Sequence, residues 1–439
     1  MISRMALKTL EDWKSHKTHQ ALMVMGARQV GKTTLIREFA AKNYRSFAEI
    51  NFYENATAIQ TLSDARDTRD LLLRLSVLTG KEMVPGDTLL FLDEIQECKD
   101  MITWIKFLVG ELKLDVILSG SLLGLEAFVN VRSLPVGFLS TTAMYPLTFR
   151  EYAAARGISD AVWDEMEEKI LSREIVPEFI HDAFLARFRE YLLVGGMPDA
   201  VQSYLDLSQM LPVRRIQESI NELYRADIGK YVEDLTEARQ IRMVFDAIPA
   251  QLNSPSKRFK YARIEKNLRF ANLETAFDWL TAAGVAIEAT RVGDVSYPIL
   301  FAEDRASFKF FPNDVGLLTS RLMGDVSLEV LTGKANINYG SIFEAFVAQE
   351  LFAQGVTPHY YSSKKRGEVD FVIEDQHTGR VRLIEVKSGK DYKRHSALSG
   401  LIAAGDADDA VVLYDGNVES EGHRTYLPIY AASFVPRIE

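Results

Sequence analysis

Apolar and polar positions fall into two kinds of block along this chain. Short, almost wholly apolar runs recur in its first third, at residues 21–25, 47–52, 88–92 and 114–118. Runs of this length bounded by turn residues read as strands buried on both faces, as in a parallel sheet. Between them the apolar positions take helical spacing. Leu35, Ile36, Phe39 and Ala40 follow the first strand, Leu71, Leu72, Leu75 and Leu78 share one face of residues 56–78, and residues 101–109 form a further helix. Strand and helix in alternation predict an open α/β sheet over residues 1–150.

Residues 149–236 change character and read as helical throughout. Phe179, Ile180, Phe184, Leu185, Phe188 and Leu192 line one helix at 178–194, which Gly195, Gly196 and Pro198 break. This segment, 151–235, is expected to be a helical lid or connector packed on the α/β module. Residues 236–310 suggest helices at 241–252, 261–268 and 273–283, then Gly284 and an apolar strand pair, which is winged-helix order. Residues 311–439 close the chain. Here a helix at 339–352 carries Ile342, Phe343, Phe346, Val347 and Leu351 on an apolar stripe with Glu344 beside it. A strand at 368–373, a turn at 376–379 and a returning strand at 382–387 follow.

Composition narrows the class without naming a partner. The 439 residues are 47% hydrophobic and 26% charged, as in globular chains of several domains. A net charge of −10 argues against a chain that coats nucleic acid over its whole surface. The local basic run Lys257, Arg258, Lys260, Arg263, Lys266 and Arg269 is compatible with a phosphate backbone or with a solvated face. A single cysteine, Cys98, excludes an intrachain disulfide and a Cys-based zinc site, so any metal is expected on oxygen ligands. The N-terminus lacks a signal-peptide pattern, and no stretch approaches about 18 continuous apolar residues. A cytoplasmic protein without membrane contact is expected.

The first chemical signal lies where strand 21–25 ends. Gly26, Ala27, Arg28, Gln29, Val30, Gly31, Lys32, Thr33 and Thr34 fit a phosphate-binding loop between a strand and a helix. Glycines let the backbone N–H groups curl toward an anion, and the helix N-terminus adds its dipole. Lys32 would reach the β- and γ-phosphates and the Thr33 hydroxyl would ligate Mg²⁺. The strand at 88–92 delivers Asp93 and Glu94 to the carboxyl edge of the sheet, where ligands of such sheets gather. Asp93 would hold Mg²⁺ through water, and Glu94 would polarise the water that attacks the γ-phosphate. Ser119, after strand 114–118, is a candidate sensor of that phosphate, with Ser121 beside it. No NKxD guanine-reading sequence occurs, so ATP is the expected nucleotide.

Taken together, GARQVGKTTL, LLFLDEIQ, ILSGSLL, residues 133–152 and YLLVGGMPDAV resemble the bacterial and archaeal AAA-type ATPases that carry a C-terminal DUF4143 domain. Their design is similar to that of the signal-transducing STAND ATPases. The resemblance implies a P-loop NTPase sheet (ASCE/AAA-like), a helical connector, a winged helix and a C-terminal α/β domain. One departure is visible. Where relatives commonly carry Arg or Lys after LPVG, this chain has Phe138, and Arg132 is a nearby substitute for an arginine finger.

The C-terminal acids form a second constellation. Glu344 on a helix, Asp370 on a strand, and Glu385 with Lys387 on the next strand resemble the PD-(D/E)XK nucleases, with Val369 at the proline position. The resemblance implies that Asp370, Glu385 and the Val386 carbonyl hold Mg²⁺ or Mn²⁺ while Lys387 orients a water for attack on DNA or RNA. A cross-strand salt bridge is the plain alternative. Two functions follow: an ATP-hydrolysing regulator joined to a metal-dependent nuclease, or an ATP-controlled switch whose nuclease fold is a scaffold or partner-binding surface. The nucleic acid and the oligomeric state are left open.

Overall fold

The computed structural model describes residues 2–16, 20–120, 137–232, 234–323, 339–375, 378–389, 391–407 and 409–438. Ser121 and Arg132 lie outside them. The chain divides into two compact units, Met1–Tyr145 with Ala282–Gly284, and the remainder from Pro146. Among the described residues no helix is long and apolar enough to cross a membrane.

In the first unit five parallel strands, β1 (Ala21–Met25), β2 (Ser46–Asn51), β3 (Thr88–Asp93), β4 (Asp115–Gly120) and β5 (Leu139–Ala143), lie in the order β2-β3-β4-β1-β5. Every residue of β1 and β3 is buried, which is why both read as continuous apolar runs. The edge strand β5, Leu-Ser-Thr-Thr-Ala, is half exposed and left no such trace. The helical stretch expected at 56–78 is two helices, Ala56–Ser63 and Thr68–Thr79. Asn55 caps the first through Ala58 N–H and Asp67 caps the second through Asp70 N–H at 2.8 Å. Register places Met25 beside Gly120 and Asn51 beside Asp93, so the strand ends share one edge.

The second unit is built on an eight-stranded mixed sheet with the order β12-β13-β11-β10-β9-β8-β6-β7. Its strands are β6 (Ala286–Val292), β7 (Glu303–Pro312), β8 (His359–Ser363), β9 (Gly367–Asp375), β10 (Arg380–Val386), β11 (Ala410–Tyr414), β12 (Glu419–Glu421) and β13 (Arg424–Pro428). The helices of the segment expected as a lid or connector share the core of this unit. Phe149, Phe188 and Tyr191 pack edge-on against Phe346, with ring centroids 6.1, 4.8 and 6.0 Å away. The Gly340–Ala353 helix is correspondingly not amphipathic. Residues 341–351 are all buried, because the sheet covers one side and the Val315–Leu322 helix, the Ile429–Arg437 segment and Phe188 of the Glu178–Val194 helix cover the rest.

The expected winged-helix segment also departs from its sequence reading. Leu235–Leu252 and Glu274–Ala282 are helices, but 261–268 holds only the 3₁₀ turn Tyr261–Arg263. Left-handed backbone at Asn267 (φ 82°) interrupts an α-helix there. The strand pair β6–β7 forms, yet β6 also pairs in parallel with β8, Thr290 beside His359. The sheet therefore continues through the boundary expected at residue 310, which falls inside β7.

Candidate functional site

The loop from Gly26 to Gly31 joins β1 to the Lys32–Asn43 helix. Gly31 caps that helix in left-handed backbone (φ 93°), and Gln29 also has positive φ (63°). Gly26 is needed for closeness, since a Cβ there would lie 2.2 Å from the Met144 carbonyl oxygen. Ala27 and Val30 are buried, while Gln29 and Thr34 are exposed and Arg28 lies over the Tyr53 ring at 5.7 Å. The Lys32 ammonium is buried and folds back on its own loop, donating to the Gly26 and Ala27 carbonyls at 2.9 Å each. Burial lowers its pKa, and Glu94 and Asp93 pull in the opposite direction.

Asp93 ends β3 with only 3% of its surface exposed and four hydrogen bonds on its carboxylate. Oδ2 accepts from the Thr33 hydroxyl and the Asn51 amide, each at 3.1 Å. Oδ1 accepts from Glu94 N–H at 3.2 Å and from the Ser119 hydroxyl. Ser119, expected as a phosphate sensor, thus faces Asp93. Thr33 and Asp93 put two hard oxygen donors side by side at the loop, which fits an Mg²⁺ ion arriving with a nucleotide. Glu94 sits in left-handed backbone (φ 54°), strain of about 1–3 kcal/mol for a non-glycine residue. The Gln96 amide donates to its carboxylate.

Sequence reasoning missed Asn51 and Gln96. Asn51 closes β2 opposite Asp93, a position that strand-end reasoning reaches once the β2–β3 pairing is known. Phe138, at the departure from the resembling family, abuts Gly110 and accepts from Ala21 N–H at 2.9 Å through its carbonyl.

In the second unit, β7, β9 and the Gly340–Ala353 helix bring Glu344, Glu368 and Asp370 around one side chain that the sequence did not flag, Lys309. Its ammonium is fully buried, 2.9 Å from Glu368, 3.1 Å from Glu344 and 3.4 Å from Asp370. A second lysine, Lys257, pairs with Glu344. Burial opposes the charge on Lys309, but Glu344, Asp370 and Glu368 outweigh it and hold its pKa well above the lysine range. Asp370 is held down at about 2 against its burial by Lys309 and Lys257. Burial, together with Asp370, pushes Glu385 up to about 8, although Lys387 lies 2.7 Å away.

Lys387 is not the only cation near these acids; Lys309 and Lys257 neutralise them from within. Val386 N–H donates to Asp370 Oδ2 at 2.9 Å. Glu385 Oε2 is buried without a partner, but Glu344, Glu368 and Asp370 converge on the Lys309 ammonium and leave no open position for an ion between them. With Lys309 seated among them, these acids do not fit the expected divalent ion. Lys309 was hidden in the apolar run Phe308, Lys309, Phe310, Phe311, where a lysine must be paired to be buried at all.

A parallel sheet with the β2-β3-β4-β1-β5 order, a glycine loop after β1 and an acid pair after β3 define a P-loop NTPase, here combined with a mixed-sheet domain in an α/β chain. Residues 18–153 match the AAA domain family, residues 185–326 a domain of unknown function (DUF8612), and residues 339–432 a domain of unknown function (DUF4143). The chain thus carries an AAA domain at residues 18–153 and a C-terminal DUF4143 domain at 339–432. Among solved structures it is similar to the Walker-type ATPase Paby2304 of Pyrococcus abyssi, at 16% identity and TM-score 0.44, covering 73% of this chain and 95% of that one. Cdc6p from Pyrobaculum aerophilum overlaps at 14% identity and TM-score 0.25, covering 75% and 93%. Orc1 of Aeropyrum pernix, in complex with DNA, overlaps at 12% and 0.28, covering 74% and 91%. No curated protein matches.

Proposed function

We propose that the chain binds ATP with Mg²⁺ at the loop of residues 26–34 and hydrolyses it, and that its C-terminal domain is a nuclease-like fold serving as a regulated, non-catalytic module. The observation that carries the first part is the convergence of Lys32, Thr33, Asp93 and Glu94 at the carboxyl edge of one sheet. Lys32 would exchange the Gly26 and Ala27 carbonyls for phosphate oxygens. The loop N–H groups and the dipole of the Lys32–Asn43 helix add positive potential at the same place. Thr33 and Asp93 would hold Mg²⁺, which supplies charge neutralisation on the phosphates. Glu94, once released by Gln96, accepts a proton from the attacking water.

Lys32→Ala should weaken ATP binding by about 100-fold, or roughly 2.7 kcal/mol, by calorimetry. Unchanged affinity would remove the loop from nucleotide binding.

Two observations support the non-catalytic reading of the C-terminal domain. The acid cluster carries its own cations, and Lys257, first in the basic run, is turned into it. Arg258, Lys260, Arg263, Lys266 and Arg269 are less buried, but the exposed face of the nearby Glu274–Ala282 helix presents Glu274 and Asp278, which oppose a phosphate backbone. A plasmid and oligonucleotide panel, DNA and RNA, with Mg²⁺ or Mn²⁺ should stay intact. Cleavage lost in Asp370→Ala would restore the nuclease reading.

A further inference from the structure

We propose that the Lys309 ammonium, seconded by Lys257, is the resident cation of the C-terminal acid cluster, and that it covers a latent site for a hard divalent ion. The inference rests on reading this domain as nuclease-like and deepens it. An ammonium has three N–H donors and no acceptor. Lys309 has three carboxylate partners, Glu368, Glu344 and Asp370, at 2.9, 3.1 and 3.4 Å, so its donor capacity is matched by the acids around it. It is wholly buried, with the Tyr360 and Phe371 rings 5.2 and 6.0 Å from its nitrogen. A metal entering here would have to displace a tethered cation and leave it buried and unpaired, which is strongly unfavourable.

Two of these acids are also held from another direction. Lys257 takes Glu344 from the loop after the Leu235–Leu252 helix, and Val386 N–H takes Asp370 from the end of β10. The oxygens that a divalent ion would need are therefore oriented and already occupied by donors. Removing the charge on Lys309 without removing its length should change that. Lys309→Met keeps an unbranched apolar stem and leaves Glu344, Glu368 and Asp370 short of one positive charge in a buried setting. Such a cluster protonates or captures a hard cation.

The test is Mn²⁺ titration of the full chain without nucleotide, followed by the electron paramagnetic resonance of free Mn²⁺ and by melting. Asp370→Asn is the matched control, so that any ion near Asp93 cancels. Wild type and Asp370→Asn should take up Mn²⁺ equally weakly. Lys309→Met should gain one site, with a melting shift of roughly 3–5 °C at millimolar Mn²⁺ that is lost in Lys309→Met/Asp370→Asn. Submillimolar Mn²⁺ binding by wild type that disappears in Asp370→Asn would overturn the proposal. So would a folded Lys309→Met that binds no Mn²⁺. If Lys309→Met does not fold, the wild-type comparison with Asp370→Asn still decides. Nucleic-acid cleavage by wild type is a separate outcome that sinks the non-catalytic reading.

Discussion

Glu350 shows how one buried acid sets a pH limit on the second unit. Its Oε1 accepts from Phe149 N–H at 2.9 Å, and burial, with Glu151 nearby, pushes its carboxyl up to about 8. A carboxyl raised in the folded state binds its proton there but releases it near its ordinary value when unfolded. Its contribution is fully present below about 4.5 and is lost as pH rises toward 8. Glu385, raised to about 8, acts in the same sense. Each pKa unit corresponds to about 1.4 kcal/mol as an upper bound. Glu350→Gln keeps an acceptor for Phe149 without a titrating charge. Melting should therefore fall less steeply between pH 6 and 8.5 in the variant than in wild type, and parallel profiles would refute this role.

At the scale of elements, the Gly195–Gly196 break shows what the sequence could and could not say. Two glycines and Pro198 mark the end of a helix, and the Glu178–Val194 helix does end there. The reason lies at a distance. A Cβ on Gly196 would come 2.1 Å from the Leu147 carbonyl oxygen, and Gly196 N–H donates to Asp314 at 2.6 Å. Gly196→Ala should cost about 2–4 kcal/mol in denaturant unfolding, from overpacking against backbone. Gly400→Ala, inside the Ser396–Ala403 helix with nothing within 4 Å of the new Cβ, should be neutral or stabilise by up to about 1 kcal/mol. Equal effects at the two sites would contradict the packing account.

The same contrast governs legibility. The strands β1, β3 and β4 and the loop after β1 were readable because burial on both faces and phosphate chemistry are written in adjacent residues. The half-exposed β5 was not. The strand pair β6–β7 was visible, but not its joining of the C-terminal sheet through β8, because that pairing spans distant sequence. Asp370 and Glu344 were found by spacing. Lys309 was not, since it lies 35 and 61 residues from those partners.

Across the whole molecule, Phe138 bears on assembly. Its ring abuts Gly110 and its carbonyl holds the start of β1, so this position offers no cation to a neighbouring copy. ATP turnover per chain should be nearly independent of protein concentration, and a steep rise lost in Arg132→Ala would show a finger supplied in trans. The central claim is that Glu94, after Asp93 on β3, drives hydrolysis of bound ATP. Glu94→Gln removes the base and keeps the shape, so its ATP affinity should stay near wild type while turnover falls by roughly 100-fold or more. Turnover by Glu94→Gln equal to that of wild type would contradict the account.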